Sequence, residues 1–268
     1  MMGLSKNVQK EINVLIETVV QKYINKATDK PKANSGNPFV MALLKDFEPL
    51  IHRIHGLKTS LGSEMEKIAE LIAVDAWEKN NVKRKIREAV KLPQNVFQVI
   101  DTIINNLSNA QTLSNYIEEK EKILEACKNP SITTEEHTYE FDLVIDDPKN
   151  NQIYILEMKG PDPNTTEVPG AKKRLLVAIA WAYFKTNSSK IDSKLAIYYN
   201  NKYPKPYKNP KVHYYFNPDG GTIVQEKFWN FLGKNDQTFI SLIKLFENYG
   251  KANKKKIWDG FSKLIDIK

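Results

Sequence analysis

The chain has 268 residues, with 40 Lys and Arg against 32 Asp and Glu, a formal net charge of +8 and a pI near 9.2. At 41% hydrophobic and 27% charged, its composition is that of a globular protein, which excludes wholesale disorder, collagen and low-complexity classes. The single Cys127 excludes an internal disulfide, and the longest apolar run, Leu175 to Phe184, is half of the ~20 residues that span a bilayer.

A lone cysteine fits a reducing interior, and the start (Met1, Met2, Gly3, Leu4, Ser5, Lys6) lacks the apolar core of a signal peptide. A soluble cytoplasmic protein with no membrane partner is expected. The basic balance suits a polyanion, because Lys and Arg release counterions from phosphates, and it suits a well-solvated surface equally.

The first half reads as helix. Val8, Ile12, Leu15, Ile16, Val19, Val20 and Tyr23 recur at spacings of three and four, the mark of one apolar stripe. Asp29 to Pro38 carries loop residues, and a second helix is expected over Phe39 to Leu50. Ser63 before Met65, Ile68, Ala69, Ile72 and Trp77, with Glu66 three residues on, has the form of a capping box opening a helix. Helical patterns follow near Asn95 to Leu107 and Thr112 to Cys127, and Lys83-Arg84-Lys85 and Lys254-Lys255-Lys256 suit DNA contact and exposed helix faces equally. After Asn129-Pro130 the period changes. Thr138 to Ile145 alternates, with Tyr139, Phe141, Leu143 and Ile145 on one face and Glu140, Asp142 and Val144 on the other. The turn residues Asp146 to Asn151 and a second run, Gln152 to Lys159, complete a predicted β-hairpin. A helix apolar on nearly every side is expected from about Val168 to Lys185, then strands at Leu195 to Tyr199 and Val212 to Phe216, then helices from Gln225 to Ile267. This order predicts an α/β mixed sheet flanked by helices. The divisions expected are a helical extension over residues 1–60, a core over 61–224 and a helical segment over 225–268.

The hairpin holds the chemistry. Glu157 and Lys159 alternate onto one face of a strand about 7 Å apart, and an antiparallel neighbour brings Asp142 beside Glu157. Two facing carboxylates repel unless a cation sits between them, and Mg²⁺ accepts such hard oxygen ligands. A lysine beside a metal-bound water can orient it, and together these parts hydrolyse a phosphodiester. The plainer reading is a solvated cross-strand ion pair. Against it stand the apolar neighbours Phe141, Leu143, Ile145, Ile153, Ile155, Leu156 and Met158, which imply a buried sheet where unpaired charge is costly.

On Glu140-Phe141-Asp142-Leu143-Val144-Ile145 and Ile155-Leu156-Glu157-Met158-Lys159-Gly160, the chain resembles the PD-(D/E)xK nucleases, in particular type II restriction endonucleases, with Phe141 where the motif name has proline. The resemblance implies a restriction-endonuclease-like fold, Asp142 and Glu157 as Mg²⁺ ligands, and Lys159 positioning the attacking water. It also implies a further acidic ligand from an upstream helix; Glu66 is the first candidate and Glu64 the second, with Glu140 a third nearby. Over most of the chain, including Glu157 to Pro161 and Lys172-Lys173-Arg174, it is similar to TdeIII-type enzymes, a family associated with GGNCC. A palindromic target in double-stranded DNA implies a homodimer.

Near the start of the helix after the catalytic strand, Arg174 and either Lys172 or Lys173 are expected to read guanines, with Asn164, Thr165 and Thr166 as polar readers or phosphate contacts. Lys190 to Lys211 interleaves lysines with tyrosines and suits phosphate contact without sequence information. His52 and His55, at i, i+3, lack evident ligand partners for zinc. No Walker loop, nucleophile elbow or dinucleotide fingerprint is present. The rival readings are a structure-specific repair or junction nuclease, a non-catalytic DNA-binding protein, and an acid/base enzyme using Glu140 and Glu157.

Overall fold

The apolar stripe of the first helix, α1 (Lys6–Ile24), is buried at Val8, Ile12, Ile16 and Val19, and Ser5 caps its start by accepting from the Val8 amide. The structure is a computed structural model that describes residues 3–25, 48–217 and 220–263. The chain divides into two units, residues 1–71 with 237–268, and residues 72–236. No described helix is long and apolar enough to cross a membrane.

The first unit is helical. It holds α1, most of α2 (Glu48–Trp77), α8 (Thr238–Ala252) and α9 (Lys254–Ser262). A Cβ on Gly56 would lie 2.6 Å from Tyr23 Cε1, so the glycine leaves room for the Tyr23 ring, whose hydroxyl meets Ser60 Oγ at 2.6 Å. The expected start at Ser63 is corrected. α2 is already under way there, so no free amides await a cap, and the Ser63 hydroxyl donates to the Ser60 carbonyl at 2.8 Å. The expected loop over 29–38 and most of the helix over 39–50 lie outside the described residues.

The second unit contains β1 (Val82–Pro93), α3 (Gln94–Ser108), α4 (Tyr116–Lys128), β2 (Thr134–Asp147), β3 (Gln152–Lys159), α5 (Glu167–Thr186), β4 (Ile191–Ile197), α6 (Pro210–Tyr215), β5 (Thr222–Val224) and α7 (Glu226–Leu232). The sheet order is β1-β2-β3-β4-β5, with β1, β2 and β3 antiparallel and β3, β4 and β5 parallel. A parallel pair needs a crossover, and α5 supplies it between β3 and β4. Its two buried faces, carrying Leu175, Leu176, Val177, Ile179 and Trp181, follow from that position against the sheet and under α3 and α4. The result is the α/β mixed sheet flanked by helices, with an N-terminal helical part, that the resemblance implies.

Three elements differ from expectation. Lys83-Arg84-Lys85 belongs to strand β1, whose half-buried, charge-rich middle shows no apolar period to read. Val212 to Phe216 is mainly helix α6, because Pro210 sits in its first turn and Asn209 Oδ1 accepts from the amides of Lys211 and Val212 at 3.1 and 3.3 Å. The last strand falls instead at Thr222–Val224.

The alternation along β2 also slips. Tyr139, Phe141 and Val144 share the core cluster formed with α3, α4 and α5, whereas Leu143 and Ile145, fully buried, lie outside it. Strict alternation would put Val144 opposite Tyr139 and Phe141. The slip falls around Asp142. On the neighbouring strand, Lys85 stands between the registered pairs Arg84–Leu143 and Ile86–Phe141 with a φ of 52°, a left-handed backbone inside a strand.

Candidate active site

The site is a fork in the sheet. The β2–β3 ladder ends at Leu143–Leu156, while β3 stays registered with β4 through Glu157–Leu195, Met158–Ala196 and Lys159–Ile197. β2 itself continues, paired only with β1. Asp142 is therefore in mid-strand, at the position where β3 has left its side. Its Oδ2 accepts from the Met158 amide at 2.8 Å, so the carboxylate takes over as acceptor where the ladder stops.

Asp142, Glu157 and Lys159 meet in this fork. Lys159 Nζ lies 2.8 Å from Glu157 Oε1 and 3.9 Å from Asp142 Oδ2, and it donates to the Met158 carbonyl at 3.2 Å. The Glu157 side chain is only 3% exposed, so its charge requires compensation from within the protein. A second cation provides it. Arg174 of α5 donates through Nε to Glu157 Oε2 at 3.2 Å and through Nη2 to Oε1, a two-pronged contact. The hydrogen bond to Glu157 raises the Arg174 pKa above its ordinary range, and the charges of Glu157, Asp142 and Glu140 add to this against the effect of burial.

The three basic residues of α5 do not act as one patch. Successive helical residues point about 100° apart, so neighbours in sequence cannot share a partner. Lys172 is 2% exposed and turned into the core, paired with Glu119 and bonded to Ser114 Oγ at 3.1 Å, with its ammonium 5.1 Å from the centre of the Phe216 ring. Burial lowers its pKa and Glu119 opposes that shift. A side chain so enclosed does not reach a base edge, and the expectation that Lys172 reads guanine is set aside. Lys173 pairs with Asp101 at 2.6 Å across partly exposed surface. Asn164 bonds Glu167 Oε1 at 3.0 Å in the turn that opens α5, and Thr165 and Thr166 beside it are exposed. Glu140 is exposed near the site, and Glu66 is a half-buried residue of α2 in the other unit. The role of Arg174 as a partner of Glu157 is not readable from the sequence; only the fold brings residues 17 apart together across a strand and a helix.

The donors fit a divalent cation. Glu157 Oε1, Asp142 Oδ2 and the Met158 carbonyl converge on one positive charge, the Lys159 ammonium, and all are hard oxygens. Among the described residues no cluster of three or more His, Cys, Asp or Glu side chains is gathered. Two carboxylates and a carbonyl suit an ion that keeps several waters and takes substrate oxygens for the rest of its shell.

No curated protein matches the chain. A match to a protein family does exist: the family described as type II restriction endonuclease, HinfI, covers residues 4–250 and so takes in both carboxylates, Lys159, Arg174 and the whole sheet. The match supports the expected type II restriction endonuclease class and does not extend to the TdeIII type. The chain belongs to the HinfI family of type II restriction endonucleases.

Proposed function

We propose that this protein is a Mg²⁺-dependent homodimeric endonuclease that hydrolyses double-stranded DNA at a short palindromic site, with Asp142 and Glu157 as the metal ligands and Lys159 as the residue that positions water. The observation that carries the reading is the convergence of Asp142 Oδ2, Glu157 Oε1 and the Met158 carbonyl on a single cation in the fork between β2 and β3. Bound there, Mg²⁺ makes a coordinated water a nucleophile near neutral pH and offsets charge on the phosphate.

The chain's own groups then have distinct tasks. Asp142 is held in place by the Met158 amide, which fixes one donor before substrate arrives. Glu157 is oriented from behind by Arg174. Lys159, its side chain 23% exposed, would yield its place between the carboxylates to the ion and orient the attacking water by hydrogen bonding. Cationic charge so close to the phosphate also stabilises the transition state. Glu66 enters this proposal through the resemblance alone, and Arg174 is reassigned here from base reading to the support of Glu157. The twofold symmetry of a palindrome asks for two such sites, one from each copy.

Incubating the protein with unmethylated phage DNA, with Mg²⁺ or with EDTA, and sequencing the ends produced tests the reading. Discrete Mg²⁺-dependent fragments that share one motif are expected, and the motif names the target; GGNCC is the candidate drawn from the TdeIII-type likeness. Asp142→Asn is expected to cut at least about a thousandfold more slowly while still binding DNA. Random nicking would move the assignment to a structure-directed nuclease. Cutting that survives EDTA would overturn the metal assignment.

A further inference from the structure

The charges that stand out in the sequence, Lys172, Lys173 and Arg174, are spent on Glu119, Asp101 and Glu157. The segment between β4 and α6 is different. Residues 198–209 carry Lys202, Lys205 and Lys208, Lys211 follows in the first turn of α6, and no residue over 198–211 is acidic, a charge of +4 in a chain whose total is +8. All four lysines are exposed, and none has an acidic partner among the described ion pairs. Tyr199 and Tyr203 beside them are 48% and 67% exposed. The carboxylate of Asp162 lies against the segment but accepts from Asn201 and Asn209, and Lys202 donates to the Lys208 carbonyl at 3.0 Å, so the lysines stand together without a carboxylate partner and repel one another.

The segment is nevertheless well braced, and its bracing is aimed at the active site. At one end the Tyr198 amide donates to the carbonyl of Lys159 at 3.2 Å, and at the other Tyr207 Oη and Asn209 Nδ2 donate to the Pro161 carbonyl at 2.8 and 3.1 Å. Between these points Asn200 Nδ2 donates to the Lys205 carbonyl at 2.7 Å, and the Asn200 amide donates to Gln225 Oε1 at 2.7 Å. The loop is thus fastened at both ends to residues 159–161, the continuation of the catalytic strand. Most of the braces are amides, carbonyls and amide side chains, which leaves the lysine ammonium groups of 205, 208 and 211 and the Tyr199 and Tyr203 rings facing solvent.

We propose that residues 199–208 form a phosphate-gripping loop for duplex DNA, preordered against β3 so that the backbone it holds is in fixed register with Asp142, Glu157 and Lys159. This rests on the nuclease reading above and adds to it the surface that seats the substrate. Lysines placed this way contact phosphate and carry no base information. They supply affinity and the salt dependence of binding, while target choice resides elsewhere.

The test is a double charge reversal, Lys205→Glu with Lys208→Glu, in the full-length protein, compared with the same charge change on α9, Lys254→Glu with Lys255→Glu. Binding to a target duplex and to a random duplex is measured by fluorescence anisotropy in Ca²⁺ at several KCl concentrations. The loop variant should bind both duplexes roughly tenfold or more weakly, and its plot of log affinity against log salt should be shallower by about two. The α9 variant should keep the wild-type slope. An unchanged melting temperature in the loop variant, or the same loss with Lys205→Ala alone on a smaller scale, ties the effect to the contact and not to folding. Equal losses in both double variants would reduce the effect to net charge and overturn the loop. Loss of binding to one duplex only would overturn the claim that the loop is blind to sequence. A wild-type protein that binds no duplex at all would instead defeat the nuclease reading itself.

Discussion

Arg174 on α5 holds both carboxylate oxygens of Glu157 on β3, through Nε to Oε2 at 3.2 Å and through Nη2 to Oε1. With the Glu157 side chain 3% exposed, Arg174 and Lys159 are the two cations that sustain its charge. Replacing Arg174 with Met leaves a buried carboxylate half compensated, and the protein should lose about 1–3 kcal/mol of stability. Under the proposed function a divalent cation restores the missing charge. Adding Mg²⁺ should therefore raise the melting temperature of Arg174→Met by more than that of the wild type, read by calorimetry with and without EDTA. Equal shifts in the two proteins would remove Glu157 from the metal site.

Lys85 lies on β1 between the residues registered with Leu143 and Phe141 of β2, the two neighbours of Asp142, and has a φ of 52°, a conformation that costs a residue with a Cβ about 1–2 kcal/mol. Glycine accepts that backbone without strain and a β-branched side chain tolerates it least. Lys85→Gly should match the wild type in urea unfolding or exceed it slightly, and cutting should persist. Lys85→Val should lose about 1–2 kcal/mol and slow cleavage, since forcing an extended backbone there would shift the part of β2 that presents Asp142. If valine is as stable and active as lysine, the kink has no part in placing the carboxylate.

What is legible in the sequence depends on how local each signal is. The hairpin and its turn and the helix after it rest on short-range patterns, and the structure contains them, whereas the ladder stops at Leu143–Leu156, one pair short of Asp142 and Glu157. Strand β1 is hidden because its charged middle, Lys83 to Glu88, is half solvated and has neither a helical nor an alternating apolar period. Helix α6 is hidden by its length, one turn and a half, whose signal lies in its Asn209-Pro210 start more than in Val212 to Tyr215. Within the site, a row of three basic residues reads as one surface. Helical geometry sends them to Glu119, Asp101 and Glu157, partners 53, 72 and 17 residues away that no local pattern could name. The slip in β2 at Asp142 is also invisible, since the apolar alternation continues in sequence across it.

The Lys172–Glu119 pair gives a test of the view that this lysine is structural. Both groups are buried, Lys172 almost completely, and Ser114 Oγ and the Phe216 ring complete its surroundings. Lys172→Met strands Glu119 without a partner and should cost about 3–5 kcal/mol in urea unfolding. Adding Glu119→Leu removes the stranded charge and should recover most of the loss. Target preference in the recovered double variant should match the wild type. A recovered protein that cuts with relaxed preference would return Lys172 to base reading.

Cys127 offers a test by pH. It is a residue of α4, 2% exposed in the core, and burial pushes its thiol from the ordinary 9.0 up to about 12. The native thiol therefore keeps its proton through a range in which the unfolded one loses it. Above pH 9 the native state binds more protons than the unfolded state, so stability falls as pH rises toward 12, while below pH 9 this contribution is fully present. Cys127→Ala lacks the titrating group and should be less stable at about pH 8 by about 1 kcal/mol, the cost of a small core cavity. That difference should shrink as pH rises from about 8, vanish near pH 10 and reverse by about pH 10.5 when urea midpoints are compared across this range. A gap between the two proteins that stays constant over this range would mean that the thiol ionises in the native state as easily as in the unfolded chain, which a sealed core does not permit.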